Sequence, residues 1–233
     1  MSGKQGYWGY LKMKLSEIQK ISSALGERYY TAQLMLNLFD GLNCRNIVQF
    51  GCQKKGEFNY HDTLFEIVAT HISNKHFAKF CVYHDKDKNH SQLQSSIYTK
   101  YDRRQISIKD ISEYKQYKQD DIDLLILNDI DYPIKELTRK LNKQLNHLEA
   151  RNILNSIDEK EFEYLYGSLV HECRKRVLKE YKTFSKHLSR RAIVVLEGND
   201  YPGGSQTLLA KRQLEREGFI CLLDLKQSVW IRR

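Results

Sequence analysis

Apolar side chains recur at threes and fours from Ser16 onward: Ile18, Ile21 and Leu25, then Tyr29, Leu34 and Leu38, closing at Gly41. That period predicts an amphipathic helix. A short β-type run follows, Asn46 to Gly51. His61 to Ile72 returns to the helical period, with Leu64, Phe65, Val68 and Ile72 on one face. Ala78 to Tyr83 is an apolar run broken only by Lys79, and it ends in His84-Asp85. Ser91 to Tyr101 predicts a further helix, and Ile106 to Ile108 a short strand. Ile122 to Leu127 is short, aliphatic and nearly continuous, the pattern of a strand buried on both faces.

Two helical stretches follow, from about 134 to 154 and from about 159 to 188. In the second, Phe162, Leu165, Leu169, Cys173, Val177, Tyr181, Phe184 and Leu188 form one stripe. The opposite face carries Arg174, Lys175, Lys179, Lys182 and Lys186. Ala192 to Leu196 is the strongest strand. A glycine-rich loop, Gly198 to Gly204, leads to a helix from about Gln206 to Glu217, and Gly218 stops it. Phe219 to Leu223 and Ser228 to Arg232 are the last two strands.

Strands alternating with helices predict a mostly parallel sheet of about seven strands with helices on both faces. The link between the last two strands is too short for a crossover, so they are expected to be antiparallel neighbours. Residues 1–40 read as a lead-in and helix. Residues 41–233 read as one α/β domain with a helical insertion around 132–160.

Lys and Arg number 38 against 29 Asp and Glu, a net charge of +9. That balance favours anionic partners, nucleic acid among them. The five cysteines fall at no Cys-x-x-Cys spacing, which predicts free thiols in a reducing compartment. No apolar run approaches the roughly 20 residues of a membrane span, and the first residues carry no secretory pattern. A cytoplasmic protein with no membrane partner is expected.

Ligands of open α/β sheets bind outside the carboxyl ends of the strands. After the first strand stand Gly51, Cys52 and Gly56. After the second stand His84 and Asp85; after the third, Asp110; after the fourth, Asn128, Asp129 and Asp131. After the fifth stand Glu197, Asn199 and Asp200. The first loop lacks the middle glycine of a dinucleotide fingerprint, because Gln53 stands there. It also lacks the lysine and hydroxyl of a P-loop, because Glu57-Phe58 follows Gly56. No His-x-x-x-His pair and no Gly-x-Ser-x-Gly elbow occur, against a zinc hydrolase and a serine hydrolase. Asp129, Asp131, Asn199 and Asp200 are hard-cation ligand types, yet they are equally ordinary turn residues, and the turn reading is the favoured one.

The segment GERYYTAQLMLNLFDGLNCRNIVQFGCQKKG resembles the lead-in helix, first strand and glycine loop of class I S-adenosylmethionine-dependent methyltransferases. DIDLLILNDIDY resembles their fourth strand, RRAIVVLEGNDYPGG their fifth, and GFICLLDLKQSVWIRR their reversed last pair. The resemblance implies an α/β, Rossmann-like methyltransferase fold: a seven-stranded, mostly parallel sheet with an antiparallel terminal pair. It implies S-adenosylmethionine as cofactor, with Gly51 and Gly56 at its amino-acid end. Gln49 and Cys52 would lie beside them. Asp85 would hold the ribose and Asp110 would face the adenine. Asn128 would border the methyl group, and Asp129 or Asp200 would act as base. Gln49 departs from the family's acidic residue, Gln53 from its glycine, and Asn128 from its fourth-strand acid.

Three functions follow as expectations. The first is methyl transfer to an oxygen or nitrogen of a small metabolite or sugar. The second is a non-catalytic binding module of the same fold. The third is an RNA-directed methyltransferase or RNA-binding protein that uses the basic face of the helix from 159 to 188. Tyr98, Tyr101, Tyr114 and Tyr117 among basic residues add to the third.

Overall fold

The computed structural model describes residues 27–51, 63–75, 77–84, 98, 101–116, 121–128, 139, 141–142, 149, 152–153, 156–197, 207–224 and 227–233. Helix α1 spans Glu27–Gly41. It ends where the Leu42 and Cys44 amides bond back to Leu38 and Phe39 (both 3.0 Å) and Asn43 takes φ +53°. Asn is one of the few residues that tolerates this left-handed conformation. The chain then enters β1 (Asn46–Phe50). Helix α2 (Thr63–Ser73), β2 (Lys79–His84) and β3 (Ile106–Asp110) follow. A 3₁₀ helix, Ile111–Gln116, leads to β4 (Ile122–Asn128). Helix α3 (Glu159–Ser185), β5 (Leu188–Glu197), α4 (Leu208–Arg216), β6 (Phe219–Asp224) and β7 (Gln227–Arg232) complete the described elements.

The strands form one seven-stranded sheet in the order β3-β2-β1-β4-β5-β7-β6. β1 to β5 are parallel, and β7 runs antiparallel to both β5 and β6. The fold class, the parallel core and the reversed terminal pair all agree with the expectation. The chain steps outward from β1 to β2 and β3, then returns to place β4 on the other side of β1. The carboxyl ends of β1 and β4 are therefore the switch point of this sheet, where open α/β folds form a crevice.

Each face of the sheet carries its own core. On one face α1 and α2 bring Met35, Phe39, Val68 and Ile72 against Ile47, Phe80, Leu124 and Val195. On the other, α3 and α4 bring Tyr181, Phe184 and Leu214 against Val48, Leu125, Val194 and Trp230. Leu124 to Leu127 are at most 2 % exposed, which is why this strand reads as an unbroken aliphatic run. Asp123, next to a register shift between β4 and β5, turns its carboxylate to the Arg45 and Asn46 amides (2.8 and 3.1 Å) and so anchors the amino end of β1.

The largest boundary difference from the sequence reading lies at the junction of α3 and β5. The stripe assigned to one helix through Leu188 stops at Ser185, and Leu188 already pairs with Ile122 as the first residue of β5. The His187 amide closes a turn on Phe184, and the His187 carbonyl accepts from Ile122, so the chain has joined the sheet. The 3₁₀ helix after β3 was not legible in the pattern. In the region read as a helical insertion, Arg139, Leu141, Glu149, Asn152, Ile153 and Ser156 are helical. Among the described residues no helix is long and apolar enough to cross a membrane.

Candidate active site

Register places one row of residues across the carboxyl edge of the sheet. His84 is level with Asp110, Asn128 with Glu197, and Glu197 with Gln227. Gly51 follows Phe50, which is level with both Tyr83 and Leu127, so it stands between His84 and Asn128. The row is polar on every strand it crosses except β1, where it is glycine. Two positions deeper on the same face the row is Ile108, Val82, Gln49, Ile126, Val195 and Val229, all at most 1 % exposed. The polar edge therefore lies directly above a dry layer containing one amide.

That amide is Gln49. Its Nε2 donates to the Gly51 carbonyl at 2.9 Å. The sequence reading treated Gln49 as an acid that had lost its charge and kept an acceptor. The structure shows it acting as a donor, which a carboxylate cannot do. Gly51 itself has φ +85°, and its amide donates to the Tyr83 carbonyl at 2.9 Å. The ladder between β1 and β2 thus continues one residue beyond β1, and the chain then turns away in a conformation that disfavours any side chain. At the switch point the backbone is bare.

Asp110 closes β3. Its Oδ1 accepts from the Ser112 amide at 2.8 Å, while its own amide donates to Glu113 Oε1 at 3.0 Å. This reciprocal pairing starts the 3₁₀ helix and fixes where the chain leaves the edge. Glu197 and Gln227 are 7 % and 1 % exposed. Facing one another across an antiparallel pair, their Cβ atoms are ~5 Å apart. The sequence reading noted Glu197 only as a strand terminus and missed Gln227, because its position opposite Glu197 follows from the β5–β7 register and from no local pattern.

Of the residues singled out from the sequence, the structure brings Gln49, Gly51 and Asp110 to this edge, with Asn128 at its register position in β4. Cys52, Gly56, Asp85, Asp129, Asp131, Asn199 and Asp200 lie outside the described residues. Among the described residues no three His, Cys, Asp or Glu side chains converge as a metal site. Cys44, Cys81, Cys173 and Cys221 are in no disulfide. Burial, with Asp123 and Asp40 nearby, pushes the Cys44 thiol up to about 12, and burial with Asp224 raises Cys221 to about 11. Neither is an activated nucleophile.

A seven-stranded sheet in this order, with its reversed β7 inserted between β5 and β6 and its switch point at β1 and β4, has the strand order of the Rossmann-like class I methyltransferase fold. No protein-family model matches the chain, and no curated protein matches it. Solved structures do. A putative caffeoyl-CoA O-methyltransferase from Staphylococcus aureus aligns over all of both chains, at 11% identity and a TM-score of 0.48. The human methyltransferase 10 domain containing protein aligns over 88% of this chain and 79% of its own, at 13% and 0.45. The N-terminal domain of human METTL16 in complex with SAH aligns over 88% and 68%, at 10% and 0.43.

Proposed function

We propose that this chain transfers a methyl group from S-adenosylmethionine to an oxygen or nitrogen of a small acceptor bound at the carboxyl edge of the sheet. The observation that carries this reading is the polar edge row opened at β1 by Gly51. A bare, left-handed glycine at the switch point suits close approach of a ligand to the backbone. Polar residue types at the register positions on either side, His84 and Asn128, suit a polar ligand laid across the edge.

In this reading Gly51 and the turn after it, including Cys52 and Gly56, hold the amino-acid end of the cofactor. Gln49 holds the Gly51 carbonyl in place from below. Asp85 takes the ribose hydroxyls and Asp110 borders the adenine. Bound S-adenosylmethionine supplies a methyl group already activated on a sulfonium. The protein's task is then chiefly alignment of the acceptor lone pair. Asp129 or Asp200 accepts the acceptor's proton.

Gln49 also supports a second reading, a non-catalytic module of the same fold, because its carboxamide is turned inward to the backbone where the family places an acid. Calorimetric titration with S-adenosylmethionine and with its demethylated product separates the two. Micromolar binding, lost in Gly51→Trp and Asp85→Ala, is expected for the enzyme. No heat with either ligand, from a protein that melts cooperatively, overturns the cofactor reading.

A further inference from the structure

The open groove along α3 is lined by Tyr114, Lys175, Lys179, Lys182, Lys186 and His187 and encloses about 780 Å³. The four lysines are spaced four, three and four residues apart, so they form a single stripe on the helix. Lys186, the C-cap, keeps helical dihedrals, φ −63° and ψ −22°, so the stripe runs unbroken to its end. All four are exposed. Lys175 meets Glu172 at 3.3 Å, and among the described residues Lys179, Lys182 and Lys186 have no ion pair.

The usual reason for lysines near a helix C-terminus is the helix dipole. That effect fades within the last turn. Lys175 and Lys179 lie further back, so the dipole accounts for only part of the stripe. Four unneutralised or weakly paired cations in a row repel one another, and a partner that supplies anions in a row relieves this. The stripe is ~16 Å long at ~1.5 Å per residue. One strand of a B-form duplex presents a phosphate about every 3.4 Å along the axis, and an extended single strand spaces them more widely, so the stripe meets about four phosphates at most.

We propose that the groove between α3 and the 3₁₀ helix after β3 is the track of a single-stranded nucleic acid, held through its phosphates by Lys175, Lys179, Lys182 and Lys186. Tyr114 is buried beneath the groove and packs edge-on against Phe184 and His187, so it offers no open ring for stacking. The contact is therefore electrostatic and independent of base sequence. The groove lies on the α3 side of the sheet. Its use does not depend on cofactor binding.

The test is fluorescence anisotropy with labelled 12-nucleotide RNA and DNA strands, without cofactor, from about 0.05 to 0.3 M salt. Single strands release ~0.7 counterion per phosphate contact, so four contacts give a log–log salt slope near −3. The quadruple variant Lys175→Gln, Lys179→Gln, Lys182→Gln, Lys186→Gln is expected to lose about three units of slope and at least about tenfold in affinity at 0.1 M salt. The double variant Lys182→Gln, Lys186→Gln is expected to lose about half the slope change. A control that neutralises Lys160, Arg103, Arg212 and Arg216 instead should leave most of the slope in place. An equal loss in the control overturns the proposal. So does binding of an acidic peptide with no binding of either strand, and so does an intact slope in a quadruple variant that still melts cooperatively. Because no cofactor is present, failure here leaves the methyl-transfer reading standing.

Discussion

The Gln49 Nε2 donates to the Gly51 carbonyl oxygen, 2.9 Å away and two residues further along the chain. The bond ties the last buried polar side chain of β1 to the residue where the backbone leaves the sheet. A carboxylate in its place would face that carbonyl with no proton to give. Gln49→Glu is therefore expected to destabilise the fold by about 2–4 kcal/mol, since it buries a charge and breaks the bond. Urea unfolding measures this directly. If Gln49→Glu is as stable as the parent and binds S-adenosylmethionine more tightly, the donor role is wrong.

Gly51→Ala places a Cβ on a residue at φ +85°. Strain of about 1–2 kcal/mol is expected from the backbone alone. Calorimetry on the same variant is expected to show weakened cofactor binding, because the turn must shift to relieve the strain. Unchanged melting would mean that the turn already tolerates a side chain.

The clamp between α1 and α2 gives a pH prediction. Asp40 accepts from His71 Nε2 at 3.1 Å and from Lys75 Nζ. Burial pulls the Asp40 carboxyl up, but its bonds to Lys75 and His71 outweigh this and hold it below its ordinary 3.8. A folded value below the unfolded one means that the group contributes stability above the unfolded value. That contribution is lost as pH falls through the folded value. Asp40→Asn should lower stability slightly at pH 7, by less than about 1 kcal/mol for so exposed a pair, and the melting temperature with it. As pH falls below 3.8 and on through the folded value, the variant and parent should converge. A gap that widens in acid would contradict the assignment.

The raised thiols at Cys44 and Cys221 make a labelling prediction. With values of about 12 and about 11, each is almost wholly protonated at pH 8. The thiolate fractions are then roughly one in ten thousand and one in a thousand. A thiol reagent should leave both unmodified in the folded protein and label them quickly in urea. Mass spectrometry after a short native exposure at pH 8 checks it, and rapid modification at either site would show that the burial is wrong.

These contrasts show where the sequence was informative. The strands were legible because their aliphatic runs are buried on both faces, as in Leu124 to Leu127 and Ala192 to Leu196. Gly51 was legible because a glycine directly after a strand marks a turn. Leu188 was misassigned because an apolar residue at helical spacing from Phe184 is equally apolar as the first residue of a strand. The 3₁₀ helix depends on a side-chain pairing between Asp110 and its neighbours, which hydropathy does not report. Gln227 faces Glu197 only because β7 inserts between β5 and β6, and that order is not written in any local segment.

That last position carries the sharpest stability prediction. The Gln227 side chain is 1 % exposed, and among the described residues neither its amide nitrogen nor its amide oxygen has a hydrogen-bond partner. A buried, unsatisfied amide costs about 1–3 kcal/mol, while an apolar side chain of similar shape avoids that cost. Gln227→Met is accordingly expected to raise stability by about 1–2 kcal/mol, a rise of about 2–8 °C in melting temperature for a chain of this size. A residue kept against its own stability cost, level with Glu197 at the carboxyl edge, fits the pattern of sites that trade stability for binding. If the substitution instead destabilises the protein, the amide already has a bonded partner such as an internal water, and the edge row is structural at β7. Thermal melts of the parent and the variant, with and without S-adenosylmethionine, distinguish the two, because a binding role predicts a more stable variant with a smaller ligand-induced shift.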